Sequence, residues 1–226
     1  MAELQDFLSN PPKFMRNNHV RYCGAYPPHP GVSCSFVLLR VGNGAARKKR
    51  VFLGMELGKA DAGVFEIRIA VGGNISSAAQ NLGNFNAIWS GYEAKAAVRC
   101  VLTDQGDNIM LTPELTGCTV VCAPRPNGGA AFSHYNLRDP ADDNRTMNAA
   151  GVLAQAATDY AGDEYGVLPK EAYYAKAPGA DSRPRATVVG WRTGGEWTFW
   201  TQYVEEKNGV FQIRDVQRLR PGTRFG

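Results

Sequence analysis

Turn residues interrupt this chain almost everywhere a long helix could start. The 226 residues include 25 glycines and 13 prolines. Many fall in tight groups: Asp104-Gln105-Gly106-Asp107, Pro124-Arg125-Pro126-Asn127-Gly128-Gly129, Gly194-Gly195 and Asn208-Gly209. Glycine supplies backbone angles that other residues avoid, and proline removes a donor, so the segments between these groups are short and end in turns. Their side chains have the period of strands. In Val64–Val71, Glu66 and Arg68 take one face while Phe65, Ile67 and Ile69 take the other. The same reading places strands at Val32–Val41, Arg50–Leu57, Lys95–Thr103, Asn108–Thr112, Ala186–Arg192, Trp197–Val204 and Val210–Leu219.

One stretch has the helical period. Met147, Ala150, Val152, Leu153, Ala156, Ala157 and Tyr160 predict a main helix over Arg145–Ala161, with Asp142-Asp143-Asn144 as capping residues. Ser76–Leu82 reads as a short helix, residues 1–31 as irregular and 162–184 as loop-rich. No repeat, low-complexity tract or linker divides the chain. The expectation is one α+β domain over residues 1–226, an antiparallel β-sandwich core flanked by one main helix, short helices and long loops.

Composition narrows the class. With 44% hydrophobic and 20% charged residues the chain is not a disordered one. A net charge of +4 permits an acidic partner without demanding nucleic acid. Arg47-Lys48-Lys49-Arg50 is the sharpest basic run. Gly42-Asn43-Gly44 before it makes a solvated turn the expected reading, ahead of a nuclear address or a phosphate patch. Five cysteines, an odd number, and no apolar leader in Met1–Pro12 favour reduced thiols and work in a cytosol.

The chemistry concentrates around Cys118. Thr116-Gly117 delivers this cysteine to the start of Thr119-Val120-Val121; a turn follows, and Ala130–Tyr135 returns with His134. As strands of one hairpin they would place Cys118, Val120 and Cys122 on one face and bring Phe132, His134 and Asn136 back on a shared face. A two-residue turn at Asn127-Gly128 would set Cys118 near Leu137, so a longer loop or a bulge is needed to bring His134 opposite Cys118. A histidine beside a thiol raises its thiolate fraction and later protonates a leaving group, and a third group orients the ring. Thr112, Asn136 and Asp139 are the local candidates for that third group. Backbone N–H groups near Gly117-Cys118 are placed to form an oxyanion hole. The plainer alternative is that Cys118 is a small buried hydrophobe and His134 a structural residue.

Leu115-Thr116-Gly117-Cys118, with His134 sixteen residues on, resembles the Leu-Ser-Gly-Cys…His motif of the cytotoxic necrotizing factor and Burkholderia lethal factor toxins. Threonine replaces serine, which keeps the hydroxyl beside the glycine. Thr112, six residues before the cysteine, also matches a threonine that recurs in the lethal factor and in chemoreceptor deamidases. The resemblance covers about 25 residues. It implies a β-sandwich core and a protein-glutamine deamidase without metal or organic cofactor. Cys118 would be the nucleophile, His134 the base and Thr112 its orienting group, with Leu115, Thr116 and Gly117 supporting the motif and the oxyanion. Some members orient the histidine with a main-chain carbonyl instead. The implied substrate is a host protein, a small GTPase or a translation-initiation helicase. The implied place of action is the host cytosol, reached without a cleavable secretory peptide.

Transamidation and proteolysis use the same thiol and imidazole. A metal site from Cys118, Cys122 and His134, or from His19, Cys23, His29 and Cys34, is a looser reading. The non-enzyme alternative is a protein- or nucleic-acid-binding module. It would use Trp191, Trp197, Phe199, Trp200, Tyr203 and Phe211, interleaved with Arg192, Arg214, Arg218 and Arg220.

Overall fold

The computed structural model describes residues 2–27, 29–52, 55–70, 79–125, 128–139, 142–176 and 181–220. Helices α1 (Ala2–Ser9) and α2 (Pro11–Asn17) lead into strand β1 (Asn18–Tyr22). Then come β2 (Ser33–Phe52), β3 (Met55–Ile69), β4 (Ala79–Trp89), β5 (Ala97–Leu102) and β6 (Ile109–Leu111). The hairpin of β7 (Thr119–Pro124) and β8 (Ala130–Tyr135) precedes two short strands, β9 (Arg138–Asp139) and β10 (Asp142–Thr146). Helix α3 (Ala149–Asp159), strand β11 (Gly166–Leu168) and helix α4 (Lys170–Ala175) come before the last three strands. These are β12 (Arg183–Thr193), β13 (Glu196–Lys207) and β14 (Val210–Leu219).

The strands form a large sheet, a small one and a two-stranded piece. The large sheet runs β1-β3-β2-β14-β13-β12-β6-β4, and β4 pairs back onto β2. One edge of β2 lies on β3, while the other serves β4 at its start and β14 near its end. The sheet therefore curls and closes on itself through β2. The small sheet runs β11-β7-β8-β5 and is antiparallel throughout. In the large sheet three pairings are parallel: β1–β3, β14–β2 and β4–β6.

Three apolar layers follow from strand alternation. Inside the curled sheet, Phe36, Leu38, Phe85, Trp89, Leu111 and Val189 pack with Phe7, Phe14 and Met15 of the first two helices. Between the sheets, Met110, Val188, Phe199 and Leu219 meet Val120, Cys122, Phe132 and Leu168. On the far face of the small sheet, Val121, Ala131 and Tyr135 receive Val152 and Ala156 of α3 and Tyr160 at its end. Each fully buried large side chain contributes about 1.5–3 kcal/mol. This is the expected α+β sandwich. It also fixes the aim of β8, because its odd residues face α3 and its even residues, His134 among them, face the large sheet.

Several local expectations change. Residues 2–22 are not irregular. Pro11 and Pro12 occupy the first turn of α2, where their missing N–H groups cost nothing, and the Asn10 side chain accepts the Lys13 N–H at 3.0 Å. The basic run is not a turn either. Gly42-Asn43-Gly44 lies where the β2–β3 register shifts, a bulge within one long strand. Arg47, Lys48, Lys49 and Arg50 continue in β2 opposite Asp61, Ala60, Lys59 and Gly58. In the expected helix at 76–82, residues 76–78 lie outside the described residues and 79–82 open strand β4. The main helix starts later than predicted, at Ala149. Its cap is Asn148, whose side chain accepts the Gly151 N–H at 2.9 Å, and 142–146 are extended. The loop-rich stretch 162–184 holds β11 and α4. The hairpin turns at Gly194-Gly195 and Asn208-Gly209 are as predicted, with φ of +59°, +83°, +52° and +72°.

Candidate active site

The β7–β8 register decides the geometry. Thr119 pairs with Tyr135 and Val120 with His134. Cys118 stands one residue outside β7, and its side chain packs with Val120, Cys122 and Phe132 between the sheets. His134 lies two positions from Phe132 and shares that face. Cys118 and His134 are thus diagonal neighbours on one face of two adjacent strands. Diagonal positions lie roughly 7–8 Å apart at the backbone, within reach of long side chains. The loop between Pro124 and Ala130 is longer than two residues, with Gly128 at φ of +79°, but the register sets His134 opposite Val120 and not, as expected, opposite Cys118.

Both groups are sealed and neutral at rest. Cys118 is 9% exposed and His134 2%. Burial pushes the Cys118 thiol up to about 11, and the Arg138 guanidinium draws it partly back. Burial pushes the His134 imidazole down to about 4. The Gly91 backbone works the other way, toward the protonated ring. Only an acceptor has that sign, so the Gly91 carbonyl is the acting group. The approach is loose, because neither ring nitrogen makes a hydrogen bond of good geometry to any described residue.

The resemblance gave Thr112 the task of orienting His134, and the structure does not bring the two together. Thr112 is buried, and its hydroxyl lies 2.9 Å from the Pro113 carbonyl and 3.1 Å from that of Val188. The same oxygen accepts the Val188 N–H at 3.3 Å. Its hydrogen-bonding capacity is committed to β12. The physical reason is topology: β6 runs in the large sheet beside β12, while His134 belongs to the small one.

The turn before the thiol is pinned from both sides. Leu115 exchanges two backbone hydrogen bonds with Ala186, at 2.7 and 3.0 Å, and its side chain enters the core between the sheets. The Thr116 carbonyl accepts the Tyr174 hydroxyl at 3.1 Å, and the Cys118 carbonyl accepts that of Tyr173 at 2.9 Å. Gly117 lines a cavity of about 300 Å³ with Lys170, Glu171 and Tyr174, and a methyl group on it would meet no atom within 4 Å.

Sequence reasoning missed the aromatic cover. The Tyr92 ring stands edge-on to His134 at 5.4 Å, and Tyr26 lies 6.2 Å from Tyr92. Both tyrosines are exposed. Burial chiefly raises the Tyr26 hydroxyl pKa, and Tyr92, Glu114, Cys23 and Cys118 add to the rise. The one signal in the sequence is Ser90-Gly91-Tyr92. Gly91 takes φ of +78°, and a Cβ there would come within 2.4 Å of Pro30, so only glycine carries the chain past the histidine. Asn136, a candidate for orienting the ring, donates instead to the Tyr92 hydroxyl at 3.0 Å.

Neither loose metal cluster forms. Among the described residues no three His, Cys, Asp or Glu side chains gather as metal ligands. The aromatic C-terminal strands are spent on packing. Trp197, Phe199 and Tyr203 fill the core between the sheets, while Trp191 and Trp200 pack against the inner core.

No protein-family model and no curated protein sequence matches this chain. Among solved structures, the C-terminal domain of CNFy from Yersinia pseudotuberculosis is similar over 96% of each chain, with 9% sequence identity and a TM-score of 0.47. A likeness of that size carries no weight on chemistry, and the site stands on its own geometry.

Proposed function

We propose that this chain is a protein-glutamine deamidase, a toxin or effector whose nucleophile is Cys118 and whose base is His134. The observation that carries the reading is the placement of these two buried residues on one face of adjacent strands. The residues around them fit the chemistry. The neutral imidazole takes the thiol proton as sulfur bonds to the carboxamide carbon of the substrate. The C–N bond breaks, the proton passes to the departing amine, and ammonia leaves a thioester. His134 then takes a proton from water, whose oxygen attacks the thioester carbon, and the thiol is restored with glutamate as product.

Charge at the site explains why a covered, neutral pair suits this task. Burial penalises the thiolate–imidazolium pair, so it forms when substrate and Arg138 supply compensating interactions rather than at rest. A backbone N–H at Gly117 or Cys118 is the proposed oxyanion donor, on a turn that α4 and β12 hold still. All five cysteines are free thiols, which suits the proposed work in a reducing host cytosol. The proposed substrate is a host protein, with a small GTPase or a translation-initiation helicase as the candidates that the motif resemblance suggests.

The test is incubation of the protein and its Cys118→Ser variant with eukaryotic cell lysate, read by peptide mass spectrometry and released ammonia. Glutamine-to-glutamate conversions made by the wild type alone are the expected result. Mass gains from added amines would reassign the reaction to transamidation, and new peptide termini to proteolysis. No Cys118-dependent change of any kind across several lysates, with a folded variant, would remove the reading.

A further inference from the structure

Asn136 has a position that its present hydrogen bonds do not explain. It is buried, and its backbone N–H extends the β8 pairing to the Ala96 carbonyl. Carrying the Thr119–Tyr135 register one step outward sets Asn136 across from Cys118, on the face that also holds His134. Its backbone position therefore lies across from that of the nucleophile. Its side-chain amide is occupied: Nδ2 donates to the Tyr92 hydroxyl at 3.0 Å and reaches the Glu93 carbonyl at 3.4 Å.

We infer that Asn136 is the residue that binds the substrate's side-chain carboxamide beside Cys118, and that the Tyr92 hydroxyl fills this place in the free protein. The inference rests on the deamidase reading and names its amide-recognition residue. A primary carboxamide offers an acceptor oxygen and two N–H donors, and an asparagine side chain offers the complement of each. The Tyr92 oxygen is an acceptor on the Nδ2–H that a substrate carbonyl would take. A site built to hydrogen-bond an amide discriminates against groups without one, because its own polar atoms are otherwise left unpaired.

Tyr92 is suited to being displaced. It is 38% exposed and sits in a stretch, residues 91–96, with neither helix nor strand. Two left-handed residues flank it, Gly91 at φ +78° and Lys95 at φ +65°. Moving it costs one neutral hydrogen bond, an edge contact with His134 and a ring contact with Tyr26. It also uncovers the His134 ring.

The experiment compares two small reagents at Cys118, read site by site with peptide mass spectrometry. Iodoacetamide carries a primary carboxamide and methyl methanethiosulfonate carries none. The work is done near about pH 9, where an ordinary thiol begins to ionise. Tyr92→Phe is expected to speed iodoacetamide several-fold more than the thiosulfonate, and adding Asn136→Leu is expected to abolish that preference. Thermal melts confirm that each variant folds. If the leucine variant does not fold, Asn136→Asp keeps the shape and removes the Nδ2 donor. Equal acceleration of both reagents, or none, overturns the inference. A carboxamide preference without any Cys118-dependent deamidation upholds it while the deamidase reading falls. Deamidation without the preference overturns this inference alone.

Discussion

His19 in β1 and His134 in β8 are buried alike, in different sheets, and neither ring nitrogen of either one has a hydrogen-bond partner among the described residues. Burial pushes His19 down to about 3 and His134 to about 4. Their surroundings differ. His19 lies against the Phe211 ring at 4.4 Å, and the cations Arg21 and Arg185 add to burial in disfavouring its proton. His134 has a carbonyl that favours the proton, an exposed tyrosine over its ring and a thiol on its own face. A buried, unpartnered histidine is therefore not in itself a sign of catalysis. The neighbours that can exchange a proton with it make the difference.

The comparison breaks most sharply on activity. His134→Ala is expected to lower Cys118-dependent glutamine conversion by about 10³-fold or more, since base and nucleophile act as a unit. His19→Leu, with the fold intact, is expected to leave it within a small factor. Equal losses in the two variants, measured by initial rates on the lysate substrate, would erase the distinction.

Acid stability should treat the two alike. Each histidine has its pKa depressed by folding, so the unfolded chain binds more protons as pH falls below about 6.5. The stabilisation each contributes is present above that pH. It is lost toward about 4 for His134 and about 3 for His19, with a slope of at most about 1.4 kcal/mol per pH unit each. Denaturant melts from neutral to acidic pH should show that slope reduced in either His19→Leu or His134→Leu. A pH slope unchanged in His134→Leu would mean that folding does not depress the His134 pKa.

The smallest effect concerns Thr112. Thr112→Val should cost about 1–3 kcal/mol of stability, because it strands the buried Val188 N–H. It should leave the pH dependence of activity unchanged, since Thr112 does not touch His134. A shifted profile would restore Thr112 to the catalytic group.

Much of this was legible from local pattern. The strand at Val64–Ile69, the turns at Gly194-Gly195 and Asn208-Gly209 and the period of Val152, Ala156 and Tyr160 each depend on near neighbours in the chain, and each appears in the structure. The Cys118–His134 hairpin was legible for the same reason. The errors have a common source. Thr112 is six residues from Cys118 yet belongs with Val188, because β6 and β7 enter different sheets. Arg47–Arg50 followed a glycine cluster that makes a bulge instead of a turn, because β3 and β14 hold both edges of β2 there. Pro11-Pro12 opened a helix because Asn10 caps it.

The sequence by itself determined a strand-rich α+β chain, its main helix and a hairpin that carries His134 with Cys118 just before it. These follow from side-chain period and turn chemistry, which act over a few residues. Only the tertiary structure decided what surrounds that pair. Gly91 and Tyr92 come from the loop before β5, Tyr26 from the segment after β1 and Tyr173 from α4, each distant in sequence from His134 or Cys118. Their arrival depends on two sheets packing face to face, and burial then sets both pKa values, a long-range effect that no local pattern encodes.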